Sequence, residues 1–178
     1  MKLYLIRHGE PDWELGERLG LPGPRRDLVP LTPDGIAQIQ SAARDPRLLR
    51  ADLIVASPYP RTLQSAHVIS RSLDLPVAVE WDLHDWVPDK SFRREDAWVD
   101  PVTTWGEIVE MGGRYPPAEE RIWESPEEIR RRALSVLSRY CRHDPLIVVT
   151  HAGVIYALSG VSAHHADIVE ANVAPWAS

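Results

Sequence analysis

Two short apolar runs, Leu3 to Ile6 and Leu146 to Val149, each give way to a histidine, in Arg7-His8-Gly9-Glu10 and in Thr150-His151-Ala152-Gly153. Runs this brief and β-branched, closed by turn residues or helix starts, read as buried strands, and Asp52 to Ala56 and Val77 to Val79 read the same way. Helical stretches lie between them. Thr32-Pro33-Asp34 supplies an N-cap with proline at the first helical position, and Ile36, Ile39 and Ala43 then recur at helical spacing to about Arg44. Pro58 or Pro60 opens a helix through Ala66 and Ile69 to Leu73. Ser125-Pro126-Glu127-Glu128 is a capping box, heading a stripe of Ile129, Ala133, Val136, Leu137 and Tyr140 that runs to about Arg142. Ala152 to Ser159 starts another helix directly after His151. Strands alternating with helices require right-handed crossovers, so the expected fold is α/β, a three-layer α/β/α arrangement with a mostly parallel sheet.

In such a sheet ligands sit in the crevice outside the carboxyl ends of the strands, so two histidines leaving two strand ends can face one site. A chain of 178 residues with 44% apolar content builds a single core, and we expect one domain over 1–178. No internal repeat or linker is visible. The stretch from Trp81 to Trp123 shows no sustained periodicity beyond a short helix near Trp105 to Glu110, yet it holds five of the seven tryptophans: Trp81, Trp86, Trp98, Trp105 and Trp123. Disordered segments are poor in aromatics, and long loops in compact domains are usually functional, so residues 81–123 are expected to form an ordered insertion capping the site.

The net charge of −6 argues against general binding to nucleic acid or anionic lipid, while leaving room for a small anion where basic residues cluster. Only five apolar or aromatic residues precede Arg7, too few for a signal-peptide core, and no apolar run approaches the ~20 residues that span a bilayer. A soluble, cytoplasmic protein is expected. The single cysteine, Cys141, has no partner for an internal disulfide or a zinc cluster and is read as helix packing. Ser57-Pro58-Tyr59-Pro60-Arg61 places a second arginine just past a strand end. Two arginines and two histidines can then surround one anion, and the planar guanidinium fork matches phosphate oxygens.

Taken in order, Leu5-Ile-Arg-His8-Gly-Glu10, Leu31-Thr-Pro-Asp-Gly35-Ile-Ala-Gln38, Ser57-Pro-x-x-Arg61-x-x-Gln64-Ser-Ala66 and Val149-Thr-His151-Ala-Gly153 resemble the histidine phosphatase superfamily, with its phosphoglycerate-mutase-like fold. The resemblance covers residue 3 to about 160. It implies that His8 becomes phosphohistidine, that Arg7, Arg61 and His151 hold the transferred phosphoryl group with Gly9 beside them, and that neither cofactor nor metal is needed. Physical chemistry agrees: a neutral imidazole is nucleophilic near pH 7, and phosphoryl transfer asks mainly for positioning and charge stabilisation. The family's proton donor is a carboxylic acid shortly after the third strand. Here the matching piece is Asp82-Leu83-His84-Asp85, with Asp85 the candidate and Asp82, His84 or Glu107 the alternatives. Such an acid must stay protonated near neutral pH, through partial burial or the substrate phosphate itself, with Trp81 and Trp86 as an apolar wall.

Where the family usually has Thr and Asn after Arg-His-Gly-Glu, this chain has Pro11 and Glu14. An anion at position 14 would repel phosphate, by roughly 4 kcal/mol for unit charges about 4 Å apart at an effective dielectric near 20. Glu14 must point away, be neutralised by Arg18, Arg25 or Arg26, or meet a cationic part of the substrate, and Glu14→Asn is expected to strengthen phosphate binding. The expected function is a phosphatase acting on a small phosphomonoester, with Arg93, Arg94, Arg114 or Arg121 as candidates for a second anionic group. The alternatives are a phosphoglycerate-mutase-like phosphotransferase, a protein-phosphohistidine phosphatase, and a non-catalytic protein that binds phosphate esters or phosphoproteins. A metal hydrolase built from His8, His151, His84 and Asp85, or from His164-His165, lacks recognisable ligand spacing, and His164-His165 reads as a surface turn.

Overall fold

The computed structural model describes residues 1–21, 23–90, 101–112 and 123–174. Five strands form one sheet: β1 (Lys2–Arg7), β2 (Ile54–Ala56), β3 (Val77–Val79), β4 (Leu146–Thr150) and β5 (Ile168–Asn172), in the order β3-β2-β4-β1-β5. β1, β4, β2 and β3 run parallel, and β5 closes the far edge antiparallel to β1. The helices are α1 (Trp13–Arg18), α2 (Pro33–Ala42), α3 (Pro60–Leu73), α4 (Pro101–Glu110), α5 (Pro126–Leu137) and α6 (Ala152–Ser159).

Alternation along the strands builds two cores. Leu3, Leu5, Val55, Leu146 and Val148 face one way and pack with Ile129, Ala133 and Val136 of α5 and Val154, Ile155 and Leu158 of α6. Tyr4, Ile6, Ile54, Ala56, Ile147 and Val149 face the other way, against Ile39 of α2 and Ala66 and Ile69 of α3. Helices on both faces make the three-layer α/β/α sandwich, and burial on both sides explains why β1 and β4 read as unbroken apolar runs. The expected caps are present: Thr32 accepts from Gly35 N–H, and Ser125 with Glu128 closes a reciprocal capping box.

Three expectations need correction. β3 is an edge strand, with Val77 and Val79 exposed, so its apolar character does not reflect burial. Cys141 is exposed beyond the short 3₁₀ turn at Ser138–Tyr140, outside helix packing. β5 has no counterpart in the sequence reading: Ile168-Val-Glu-Ala-Asn172 lies on an edge, with Glu170 paired to Lys2 at 2.8 Å, and carries no pronounced apolar run. Among the described residues, no helix is long and apolar enough to cross a membrane.

Candidate active site

Sheet register decides which residues meet. Ile6 lies beside Val149 and Arg7 beside Thr150, so the next residue on each strand is a histidine. His8 N–H donates to the Thr150 carbonyl at 3.1 Å. The two imidazoles therefore leave the sheet side by side, with ring centroids 5.3 Å apart and edge to face. β2 delivers Ser57 to the same edge, its N–H on the Val149 carbonyl at 3.0 Å. α3 starts at Pro60, so Arg61 occupies its first turn and reaches back into the site with only 1% of its surface exposed.

Hydrogen bonds assign the tautomers. His8 Nδ1 lies 2.7 Å from the Gly9 carbonyl, which can only accept, so Nδ1 carries the proton and Nε2 the lone pair. Arg61 Nε donates to that lone pair at 3.2 Å. Burial, reinforced by the neighbouring His151 and Arg61, holds the His8 pKa well below that of a free imidazole, so the ring is neutral. Burial pushes His151 down to about 4, although Asp85 opposes the shift. His151 Nε2 is 2.7 Å from Ser57 Oγ, and Nδ1 is 3.3 Å from Asp85 Oδ2. A carboxylate beside Nδ1 favours the proton there, so the Ser57 hydroxyl donates to Nε2.

Asp85 Oδ2 also meets Arg61 Nη2 at 3.0 Å, and Oδ1 accepts the Trp86 N–H at 2.8 Å. Burial disfavours its charge, but His151, Arg61 and the Trp86 N–H outweigh burial and hold the carboxyl well below the usual carboxylate range. Asp85 is therefore ionised here, so of the two routes to a protonated acid expected from the sequence, partial burial and the substrate phosphate, burial alone does not suffice. Trp81 is 70% exposed. Trp86 packs edge to face on Trp105 at 5.7 Å, and a side chain at Gly153 would meet the Trp105 ring and the Cβ of Trp86. Among the alternative acids, Glu107 is exposed and His84 turns its Nδ1 to the Asp85 carbonyl at 2.7 Å.

Arg7 donates from Nη1 to the Ala163 carbonyl at 2.8 Å. Its Nε is buried without a hydrogen-bond partner, and His151 Nδ1 has only the Asp85 carboxylate within ion-pair reach, at 3.3 Å. Unsatisfied buried donors are costly, and an anion supplies the acceptors they lack. Gly9 N–H donates to Ser65 Oγ at 3.2 Å while its carbonyl holds His8. Its need for glycine is steric: a Cβ on Gly9 would collide with the Gly35 backbone at the start of α2.

Glu14 is exposed on α1 and makes no hydrogen bond or ion pair among the described residues, with Arg7 and Arg61 or otherwise. Besides Asp85, the carboxylate that reaches Arg61 is Asp27, whose Oδ1 lies 2.9 Å from Arg61 Nη1. His165, read as surface, is half-buried with its ring 5.7 Å from His8. Its turn is tied to the end of β1 by Ala166 N–H on the Arg7 carbonyl at 3.1 Å and Arg7 N–H on the Asp167 carbonyl at 3.2 Å. Neither Asp27 nor His165 carries a sequence signal, since each arrives through packing between distant segments. The candidate anion-binding residues Arg93, Arg94, Arg114 and Arg121, and also Trp98, lie outside the described residues. Among the described residues no group of three or more His, Cys, Asp or Glu side chains is arranged to hold a metal ion.

The histidine phosphatase superfamily (branch 1) matches residues 3–167. The uncharacterized phosphatase PhoE of Bacillus subtilis is 27% identical over 162 residues, covering 86% of this chain and 73% of its own length. GpmB of Proteus mirabilis, named as a probable phosphoglycerate mutase, is 31% identical over 126 residues, 68% of this chain and 57% of its own. The chain thus spans little more than half of that mutase relative. A mycobacterial glucosyl-3-phosphoglycerate phosphatase in complex with VO3 shares the fold, with a TM-score of 0.62 at 21% identity, covering 89% of this chain and 78% of that one.

Proposed function

The chain belongs to the histidine phosphatase superfamily, and from that membership we propose that it is a phosphatase hydrolysing a small phosphomonoester through a phosphohistidine on His8. The observation that carries this reading is the state of His8, whose Nδ1–H is spent on the Gly9 carbonyl, leaving the Nε2 lone pair facing the Arg61 guanidinium. An incoming phosphoryl group would take Arg61, Arg7 Nε and His151 Nδ1 as donors while Nε2 attacks phosphorus in line with the ester oxygen. The dianion then repels the Asp85 carboxylate and competes for its cations, which raises the Asp85 pKa so that it can bring a proton to the leaving oxygen. In the second half Asp85 takes a proton from water, which attacks the phosphohistidine and regenerates His8. The described parts of the segment 81–123, residues 81–90, 101–112 and 123, of which the first carries Asp85, are proposed to cap the site and select the ester.

The test is turnover of p-nitrophenyl phosphate in chelator by the wild type and His8→Ala, with label trapped in alkaline denaturant because the P–N bond is acid-labile. Loss of both turnover and label with His8 supports the reading, and a labelled His8→Ala enzyme would refute it. Partition of the label between water and an added alcohol separates hydrolysis from the mutase-like transfer suggested by the GpmB likeness.

A further inference from the structure

We propose that Arg132, braced by Glu124, is a positioning residue that aims the Asp85 carboxyl at the leaving oxygen, an inference that rests on the phosphatase reading above. The loop after β3 has no ladder partner between residues 82 and 85, yet all its carbonyls are taken. Arg132 Nη1 donates to Asp82 O at 2.5 Å and His84 O at 2.9 Å, and Nη2 donates to Asp85 O at 3.2 Å. The remaining carbonyl, Leu83 O, accepts from Thr150 Oγ1 at 3.0 Å, one residue before His151. One guanidinium from α5 and one hydroxyl from β4, with His84 Nδ1 also on Asp85 O at 2.7 Å, thus set the path of the backbone that carries Asp85.

Glu124 in turn sets Arg132. Its carboxylate takes Arg132 Nε at 2.6 Å and Nη2 at 2.9 Å, a bidentate pair in which both side chains are largely buried. The same residue grips the loop beyond Asp85: Glu124 Oε2 accepts the Val87 N–H at 3.2 Å, its carbonyl accepts Trp86 Nε1 at 2.8 Å, and its N–H donates to Val87 O at 2.8 Å. A planar fork with donors on three nitrogens can hold a carboxylate and several carbonyls at once, whereas the point-like ammonium of lysine cannot. Proton transfer from Asp85 as the P–O bond breaks and the P–Nε2 bond forms needs heavy-atom contact near 3 Å, so a small drift of this loop would uncouple the acid while leaving His8, Arg7 and His151 intact.

Leaving-group dependence tests the assignment. Phenyl phosphate departs as a basic oxyanion and needs the proton, while 2,4-dinitrophenyl phosphate departs without it. General-acid catalysis is typically worth ~10²–10⁴ in rate, so Asp85→Asn is expected to cut kcat/KM, which reports phosphoenzyme formation alone, on phenyl phosphate by about 100-fold or more and on the dinitrophenyl ester by less than about tenfold. Arg132→Lys should show the same selectivity, with about a 10- to 100-fold loss of kcat/KM on phenyl phosphate and no added loss when combined with Asp85→Asn. Should Arg132→Lys fail to fold, Glu124→Gln, which keeps the guanidinium and removes its counter-charge, is expected to give the same pattern. Equal losses on both esters, or none, in the folded variant would overturn the positioning role while a selective Asp85→Asn leaves the phosphatase reading standing. A wild type inert toward both esters would overturn both.

Discussion

Asp27 Oδ1 and Arg61 Nη1 lie 2.9 Å apart while Asp85 holds Arg61 Nη2 at 3.0 Å, so the buried guanidinium is shared between two carboxylates. A bound phosphate would compete with both for the same donors. Asp85 is needed for chemistry under the proposed mechanism, and Asp27 is not. Asp27→Asn is expected to tighten competitive inhibition by inorganic phosphate by about fivefold, on the order of 1 kcal/mol for a partly exposed charge pair. Glu14→Asn should leave the inhibition constant within about twofold, because that side chain faces solvent. Inhibition constants for the two variants check this, and the reverse ranking would place Glu14, and not Asp27, at the anion.

Acidification should destabilise the protein before its carboxylates titrate. His8 and His151 are held neutral by burial, His151 to about 4, whereas in the unfolded chain each takes up a proton near 6.5. The unfolded state therefore binds more protons below pH 6.5, and stability falls as pH drops from there toward 4. Asp85 has a folded pKa depressed by its cationic neighbours, so its contribution is present above about 3.9 and is lost only as pH falls further, through its folded value. Urea midpoints at pH 7, 6, 5 and 4 should decline steadily in the wild type and less steeply in His151→Gln. An unchanged slope in that variant would mean that His151 is not the proton acceptor.

A Cβ on Gly9 would fall on the Gly35 backbone, and a Cβ on Gly35 would fall on the Glu10 backbone. Gly9→Ala and Gly35→Ala are each expected to cost about 2 kcal/mol or more, since neither clash involves a flexible side-chain end. Thermal melts would show this as a loss of several degrees. A neutral Gly9→Ala would mean that α2 can move away from the nucleophile loop without cost.

Ser57→Ala removes the hydroxyl that donates to His151 Nε2 while leaving the core volume nearly unchanged. The loss of one buried hydrogen bond, about 1–1.5 kcal/mol, frees the tautomer of His151 and should reduce kcat by about tenfold with little change in KM. Steady-state kinetics on p-nitrophenyl phosphate would show it, and a loss confined to KM would assign Ser57 to ground-state binding instead.

The pattern of the chain alone determined the strands that carry His8 and His151, the capped starts of α2 and α5, and the α/β layering. Each depends on residues close in sequence, whose periodicity and capping act through local backbone geometry. It also put His8, Arg61, Asp85 and His151 at ends of elements, where an α/β sheet gathers its functional groups. Register and packing decided the rest. The pairing of Arg7 with Thr150 set the two imidazoles side by side, and the antiparallel docking of β5 brought His165 to His8. The crossing of α5 behind the 82–87 loop gave Arg132 and Glu124 their hold on Asp85's backbone. The charge state of Asp85 belongs to this second group, because it depends on which cations lie within about 3 Å, a distance that only the folded chain defines.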